Sequence, residues 1–228
     1  MSNDHLKIIT TEDGSHSLYN KELNETYHSF HGALQESRHV FIENGLRFWH
    51  SENSQVKKVK IFELGFGTGL NALLSLEYGI KNNIEIEFMS IEAYPLDKEQ
   101  YEILNYSNLV ADGSLTDFFN DMHEIPWNSQ VPIHEKFLLE KIHDKIELID
   151  LRNQKFDIVF YDAFAPSKQP QLWEIPQIEK VVNSLKKGGV FVTYCAQGQL
   201  KRNLKSLGLE VNTLPGPPGK KEMVMAIK

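Results

Sequence analysis

The run Glu63-Leu64-Gly65-Phe66-Gly67-Thr68-Gly69-Leu70-Asn71 is the first place where residue types and spacing could do chemistry. Glycines let a backbone adopt positive φ and pass close to a ligand. A helix starting just after them offers unpaired N–H groups. A dinucleotide fingerprint needs G-x-G-x-x-G, but Leu70 stands where its third glycine would be. The spacing here, G-x-G-x-G, suits an amino-acid-bearing nucleoside better than a pyrophosphate. Glu92 is the second signal, because an acid ending the next strand can accept both hydroxyls of a ribose. Asp144 is a candidate for an adenine amino group, with Asp112 as its competitor. Asp162 opens a third segment, Asp162-Ala163-Phe164-Ala165-Pro166, that runs on to Trp173. Ligands of open α/β sheets sit beyond the carboxyl ends of the strands, so this loop would face a group in transfer. The plain alternatives are a structural turn for the glycines, a surface acid for Glu92 and a Pro-rich surface loop over Trp173.

For these residues to meet, their strands must end side by side. Short β-rich runs occupy 59–64, 84–91, 137–143, 156–161 and 190–195, and helices are expected at 69–79, 97–105, 174–186 and 197–207. Strands alternating with helices imply a parallel sheet covered on both faces. The last two strands, 209–214 and 222–227, are joined by Pro215-Gly216-Pro217-Pro218-Gly219-Lys220-Lys221. That loop is too short for a parallel crossover, so the final strand should run antiparallel. A mostly parallel, seven-stranded α/β sheet closed in this way is the Rossmann-like layout of class I S-adenosylmethionine-dependent methyltransferases. Residues 56–228 would form that domain and 1–55 an amino-terminal extension packed on it. The extension carries a short strand or turn at 26–30 and a helix at 32–42 with a stripe at Leu34, Arg38, Phe41 and Ile42. Residues 106–135 read as an irregular insertion with some helix.

Bulk properties bound the function. With 228 residues, 41% of them hydrophobic, the chain can build a core for one such domain. No stretch reaches the roughly 18 apolar residues of a membrane helix, and the start does not read as a signal peptide. The single cysteine, Cys195, excludes a disulfide framework within the chain and suits a reducing, cytoplasmic setting. The nine histidines show no metal-ligand spacing, so no metal is expected. With 24 basic and 31 acidic residues the net charge is -7, which argues against a general nucleic-acid binder but leaves room for one local RNA contact. Among the small basic groups, Lys220-Lys221 lies in the last hairpin; the plain reading of each is a solvated edge.

The chain resembles the methyltransferases that complete 5-methylaminomethyl-2-thiouridine at the tRNA wobble position, found as the amino-terminal half of bifunctional MnmC enzymes and as stand-alone proteins. The likeness rests on 32–42, Glu63 to Asn71, Glu92 to Pro95, Asp162 to Trp173, Thr193-Tyr194-Cys195-Ala196 and Pro215 to Met223. Ala163 stands where the family often has Gly, and 106–135 matches poorly. The FAD-dependent oxidase half of the bifunctional enzymes is not in this sequence.

The resemblance implies S-adenosyl-L-methionine as cofactor and the anticodon loop of tRNA as partner, with no membrane association. Candidate cofactor contacts are Gly65, Phe66, Gly67, Thr68, Gly69, Asn71, Glu92, Asp144 and Asp162. The implied reaction moves the sulfonium methyl to the primary amine of 5-aminomethyl-2-thiouridine. Such an amine has a pKa of about 10 and arrives protonated, so Asp162 would hold the ammonium and take its proton. A wobble base can splay out and stack on aromatic rings. Phe164, Trp173 and Tyr194 are candidates, with core packing the alternative for Tyr194, and Lys220 and Lys221 would meet the RNA backbone. Two other readings stay open: a methyl- or aminopropyltransferase for a small amine, and a non-catalytic cofactor-binding module of a tRNA-modifying assembly.

Overall fold

The computed structural model describes residues 5–228. Alternation of apolar residues builds its centre. In β4 (Lys58–Leu64), β5 (Glu85–Glu92) and β8 (Phe156–Tyr161) successive side chains point to opposite faces. Ile61, Phe88 and Phe160 enter one core, and Phe62, Met89 and Val159 enter the other. All six residues of β8 are buried, as expected of a parallel strand covered on both sides.

The chain starts with a small antiparallel sheet of β1 (Leu6–Thr10), β2 (His16–Asn20) and β3 (Glu25–Thr26). A long helix follows. It begins as α1 (Ala33–Ser37), is π-wound over Arg38–Arg47 and returns to α geometry in α2 (Phe48–Glu52). Then come β4, α3 (Leu70–Asn82), β5, α4 (Lys98–Tyr101), α5 (Tyr106–Leu109), α6 (Thr116–Glu124), β6 (Ser129–His134), β7 (Phe137–His143) and β8. The chain closes with α7 (Ile175–Ser184), β9 (Leu185–Thr193), α8 (Gly198–Ser206), β10 (Glu210–Pro215) and β11 (Glu222–Ile227).

The central sheet runs β10-β11-β9-β8-β4-β5-β7-β6. Pairs β9–β8, β8–β4, β4–β5 and β5–β7 are parallel. The last strand is antiparallel to both neighbours, as the short connection requires. Four sequence expectations change. The sheet has eight strands, because β6 pairs antiparallel with β7 inside the segment read as irregular. That segment also holds α6, which buries Phe119 and Met122. The helix expected at 97–105 is confined to α4, and the 26–30 piece is strand only over β3. The helix expected at 32–42 continues to Glu52, and Arg38 lies outward, 3.3 Å from Glu77, instead of in the buried stripe.

The long helix packs directly on the sheet. Gly45 makes this possible, since a β-carbon there would come within 3.0 Å of Val192 and 3.1 Å of Phe160. Phe41 packs on Phe160 with ring centroids 5.2 Å apart, and Leu18, Val40 and Phe41 share a core with Ile61 and Phe160. Among the described residues no helix is long and apolar enough to cross a membrane.

Candidate active site

Three strand ends converge as the sequence requires. After β4 the chain turns through Gly65 (φ 97°), Gly67 (φ 50°) and Gly69 (φ 73°), the last capping α3 in left-handed conformation. Gly65 has a second constraint: a β-carbon would lie 2.6 Å from the carbonyl oxygen of Asp162. The loop is anchored to β5 by the N–H groups of Gly65 and Phe66, which donate to the Ile91 carbonyl at 3.0 and 3.3 Å. Beside it opens a cavity of about 790 Å³ bordered by Gly65, Phe66, Gly67, Thr68 and Asn71 on one side and by Glu92, Asp144 and Asp162 at the strand ends.

Glu92 ends β5 and accepts from the N–H of Gly67 at 3.0 Å and of Tyr94 at 2.8 Å. Each carboxylate oxygen keeps capacity for a further donor, so ribose hydroxyls could still bind. Burial is the largest influence on this group and pushes its pKa upward against those backbone donors. Asp144 borders the cavity and Asp112 does not. The ring of Phe66 turns inward against His123 and Trp127. Thr68 is held from two sides, by His28 Nε2 at 2.8 Å on its hydroxyl and by His123 Nε2 at 3.2 Å on its carbonyl. Burial drives both imidazoles well down, His28 to about 4 and His123 to about 3, so at neutral pH each is an uncharged strut.

Asp162 follows β8. Its Oδ2 accepts from Asn71 Nδ2 at 2.8 Å. Burial raises its pKa to about 7 and negative Glu36 adds to the rise, while the Asn71 bond and positive Lys220 oppose it. Lys220 sits inside the cavity instead of on the hairpin surface. Its ammonium pairs with Glu36 and lies 4.0 Å from the Tyr194 ring centroid. The Tyr194 hydroxyl donates to the Ala163 carbonyl at 2.8 Å. Tyr194 therefore borders the cavity with one ring face already covered by a cation.

Not every expected residue arrives. Trp173 does not border the cavity; it is buried, its indole N–H donating to the Phe164 carbonyl at 2.8 Å and its ring packed against Tyr161. It shapes the Asp162 loop from beneath. Lys221 is exposed outside the cavity, and Gly69 lies behind it as a helix cap. Phe164 does border it and meets Tyr27 edge-on at 5.0 Å. Tyr27, His28 and Glu36 are cavity residues that sequence reasoning missed. Glu36 lies in the segment at 32–42 that carried the family likeness, which was the one available hint.

The family model described as an S-adenosyl-L-methionine-dependent methyltransferase matches residues 116–228. The tRNA 5-methylaminomethyl-2-thiouridine biosynthesis bifunctional proteins MnmC of Leptospira interrogans (strain Fiocruz L1-130) and Methylobacillus flagellatus are 31% and 27% identical to the chain, over 90% of its length. Each match covers 33% of the relative, so the chain spans about a third of the curated proteins it matches. The crystal structure of MNMC2 from Aquifex aeolicus superposes with a TM-score of 0.80 at 25% identity, covering 97% of this chain and 69% of that one. Residues 116–228 thus match the S-adenosyl-L-methionine-dependent methyltransferases, and the chain has the class I methyltransferase fold. The lining suits such a cofactor: glycine backbone free of β-carbons lies along one wall, and carboxylates able to accept from hydroxyl or amino groups stand at the strand ends.

Proposed function

We propose that the chain methylates the primary amine of a 5-aminomethyl-2-thiouridine at the wobble position of tRNA. One observation carries the reading: Asp162 stands in the same cavity as the glycine loop with its pKa raised to about 7. An alkylammonium of pKa about 10 cannot attack a methyl group until it loses a proton. Handing that proton to an ordinary aspartate of pKa about 4 is uphill by roughly 6 units, or about 8 kcal/mol. A base of about 7 halves that cost. When bound, S-adenosyl-L-methionine supplies the activated methyl. This chain would hold the cofactor through Gly65–Thr68, Glu92 and Asp144, seat the amine against Asp162 and accept its proton there.

The nucleoside would enter past Phe164 and Tyr27, which offer aromatic surface for a splayed base. Lys221 is the exposed member of the basic pair and the one suited to a phosphate; the half-buried pairing of Lys220 with Glu36 suits it to shaping the amine site. The names of the relatives support tRNA as partner, and a cytoplasmic setting agrees with that substrate. The test is incubation with labelled S-adenosyl-L-methionine and tRNA lacking the final methyl, followed by digestion. Label in 5-methylaminomethyl-2-thiouridine is expected. Label only in added small amines, with none in the tRNA, would replace this reading with the polyamine-type one.

A further inference from the structure

From the cavity wall at Asp162 and Asn71 a polar chain runs back into the buried sheet at Glu63. Glu63, near the end of β4, is 1% exposed, and Asn71, in the first turn of α3, is 3% exposed. Ser90 of β5 donates to Glu63 Oε2 at 2.6 Å. Asn71 Nδ2 donates to Asp162 Oδ2 at 2.8 Å. Asn71 lies near enough to Glu63 for its amide to influence the carboxyl. Yet Glu63 Oε1 and Asn71 Oδ1 are both buried with no donor.

A buried acceptor without a donor costs about 1–3 kcal/mol, and this polar chain holds two of them. One proton on Glu63 Oε1 resolves both, because a neutral carboxyl donates through O–H while its other oxygen still accepts from Ser90. We infer that Glu63 is a neutral acid donating to Asn71 Oδ1, and that this bond locks the amide with its NH₂ toward Asp162. Glu63 is thereby a positioning residue for the base and acts through Asn71. The inference rests on the reading of Asp162 as proton acceptor.

The electrostatics agree. Burial, the largest influence, pushes the Glu63 pKa well up; negative Asp162 and Glu92 push the same way, while the Ser90 and Asn71 side chains oppose the rise without cancelling it. Lys220, the positive group felt at Asp162, is paired to Glu36; Tyr194 faces Asp162 from the end of β9, and burial holds its phenol protonated. Asn71 can turn only two ways. With its NH₂ toward Glu63, its carbonyl would oppose Asp162, which must then hold the proton and could not act as a base. The amide bond therefore sets which of two carboxyls holds the one proton between them.

The test is a carbon-13 titration of side-chain carboxyls in wild type, Glu63→Gln and Glu63→Leu, alongside the pH dependence of methyl transfer. Wild-type Glu63 should show no titration between about pH 5.5 and 9. Glutamine can both accept from Ser90 and donate to Asn71, so the Asp162 midpoint should stay in place in Glu63→Gln. In Glu63→Leu the amide loses its lock, and the midpoint should rise by about 0.5–1 unit, the worth of one hydrogen bond. Turnover of that variant should fall about 10-fold, with cofactor affinity kept. If Glu63 were ionised, glutamine would remove a neighbouring negative charge and the Asp162 midpoint would drop; that result overturns the inference. Should Glu63→Leu fail to fold, the Glu63→Gln midpoint decides alone. Wild-type turnover in Asp162→Asn would reject the base assignment, while the Glu63 titration would still report where its proton sits.

Discussion

At the scale of single residues, chemistry turns on how far burial has moved a proton. Asp162→Asn keeps the shape of the site and an acceptor but cannot take the amine's proton. Turnover should fall roughly 10²–10⁴-fold with cofactor affinity nearly unchanged in calorimetry; full activity would leave the acceptor role to backbone carbonyls or water. The same variant has a stability signature. Asp162 binds its proton more tightly folded than unfolded, so the stability it contributes is present below its ordinary value of 3.8 and lost as pH rises through about 7. Asp162→Asn should therefore melt higher than wild type at pH 8 and show a smaller gain at pH 5. Glu92→Ala removes the acceptor for Gly67 N–H and for ribose together. Cofactor binding should weaken by about 1.5–3 kcal/mol, and unchanged affinity in a folded variant would reject the ribose assignment.

The element that matters most is the glycine loop between β4 and α3. Its geometry is held by partners far away in sequence: Ile91 on its backbone, and His28 and His123 on Thr68. Both histidines must stay neutral. Their folded pKa values lie below the ordinary 6.5, so their stabilisation is complete above that value and is lost as pH falls toward 4. Melting temperature and cofactor affinity should decline together below pH 6. A His28→Gln, His123→Gln double variant should flatten that decline, and an unchanged acid limb would show that other groups drive it. Gly65→Ala puts a methyl against the Asp162 carbonyl at a left-handed φ, and should lose cofactor binding more completely than Glu92→Ala.

At the scale of the molecule, the amino-terminal segment completes one face of the sheet. Its Phe41 and Gly45 lie on Phe160, which is wholly buried. Deleting residues 1–55 would uncover that face, and the remainder should be insoluble or molten by near-ultraviolet dichroism. A folded, cofactor-binding 56–228 fragment would show instead that the extension is an independent addition. With a net charge of -7 and Lys220 turned inward, little net attraction for RNA is left. The logarithm of tRNA affinity should fall only shallowly with the logarithm of salt. Lys221→Ala should lower the slope by about one, and an unchanged slope would remove Lys221 from the RNA contact.

Read as a string, the chain determines the strands whose apolar residues alternate, the glycine turn and the acids at strand ends, because each is a local pattern with a local cause. It determines the antiparallel close as well, since a seven-residue loop cannot cross a sheet. It hides β6, which carries Pro132 at a sheet edge where only one side needs pairing. It hides the π-wound helix, whose buried face departs from a 3.6-residue period. Only the tertiary structure decided that Lys220 points inward to Glu36 while Lys221 faces solvent, and that Trp173 lies buried beneath the Asp162 loop instead of bordering the cavity. It alone brought Glu63, Asn71 and Asp162 into one buried chain. Those outcomes depend on which distant side chains share a desolvated space, where a charge must find a partner and a carboxyl keeps its proton.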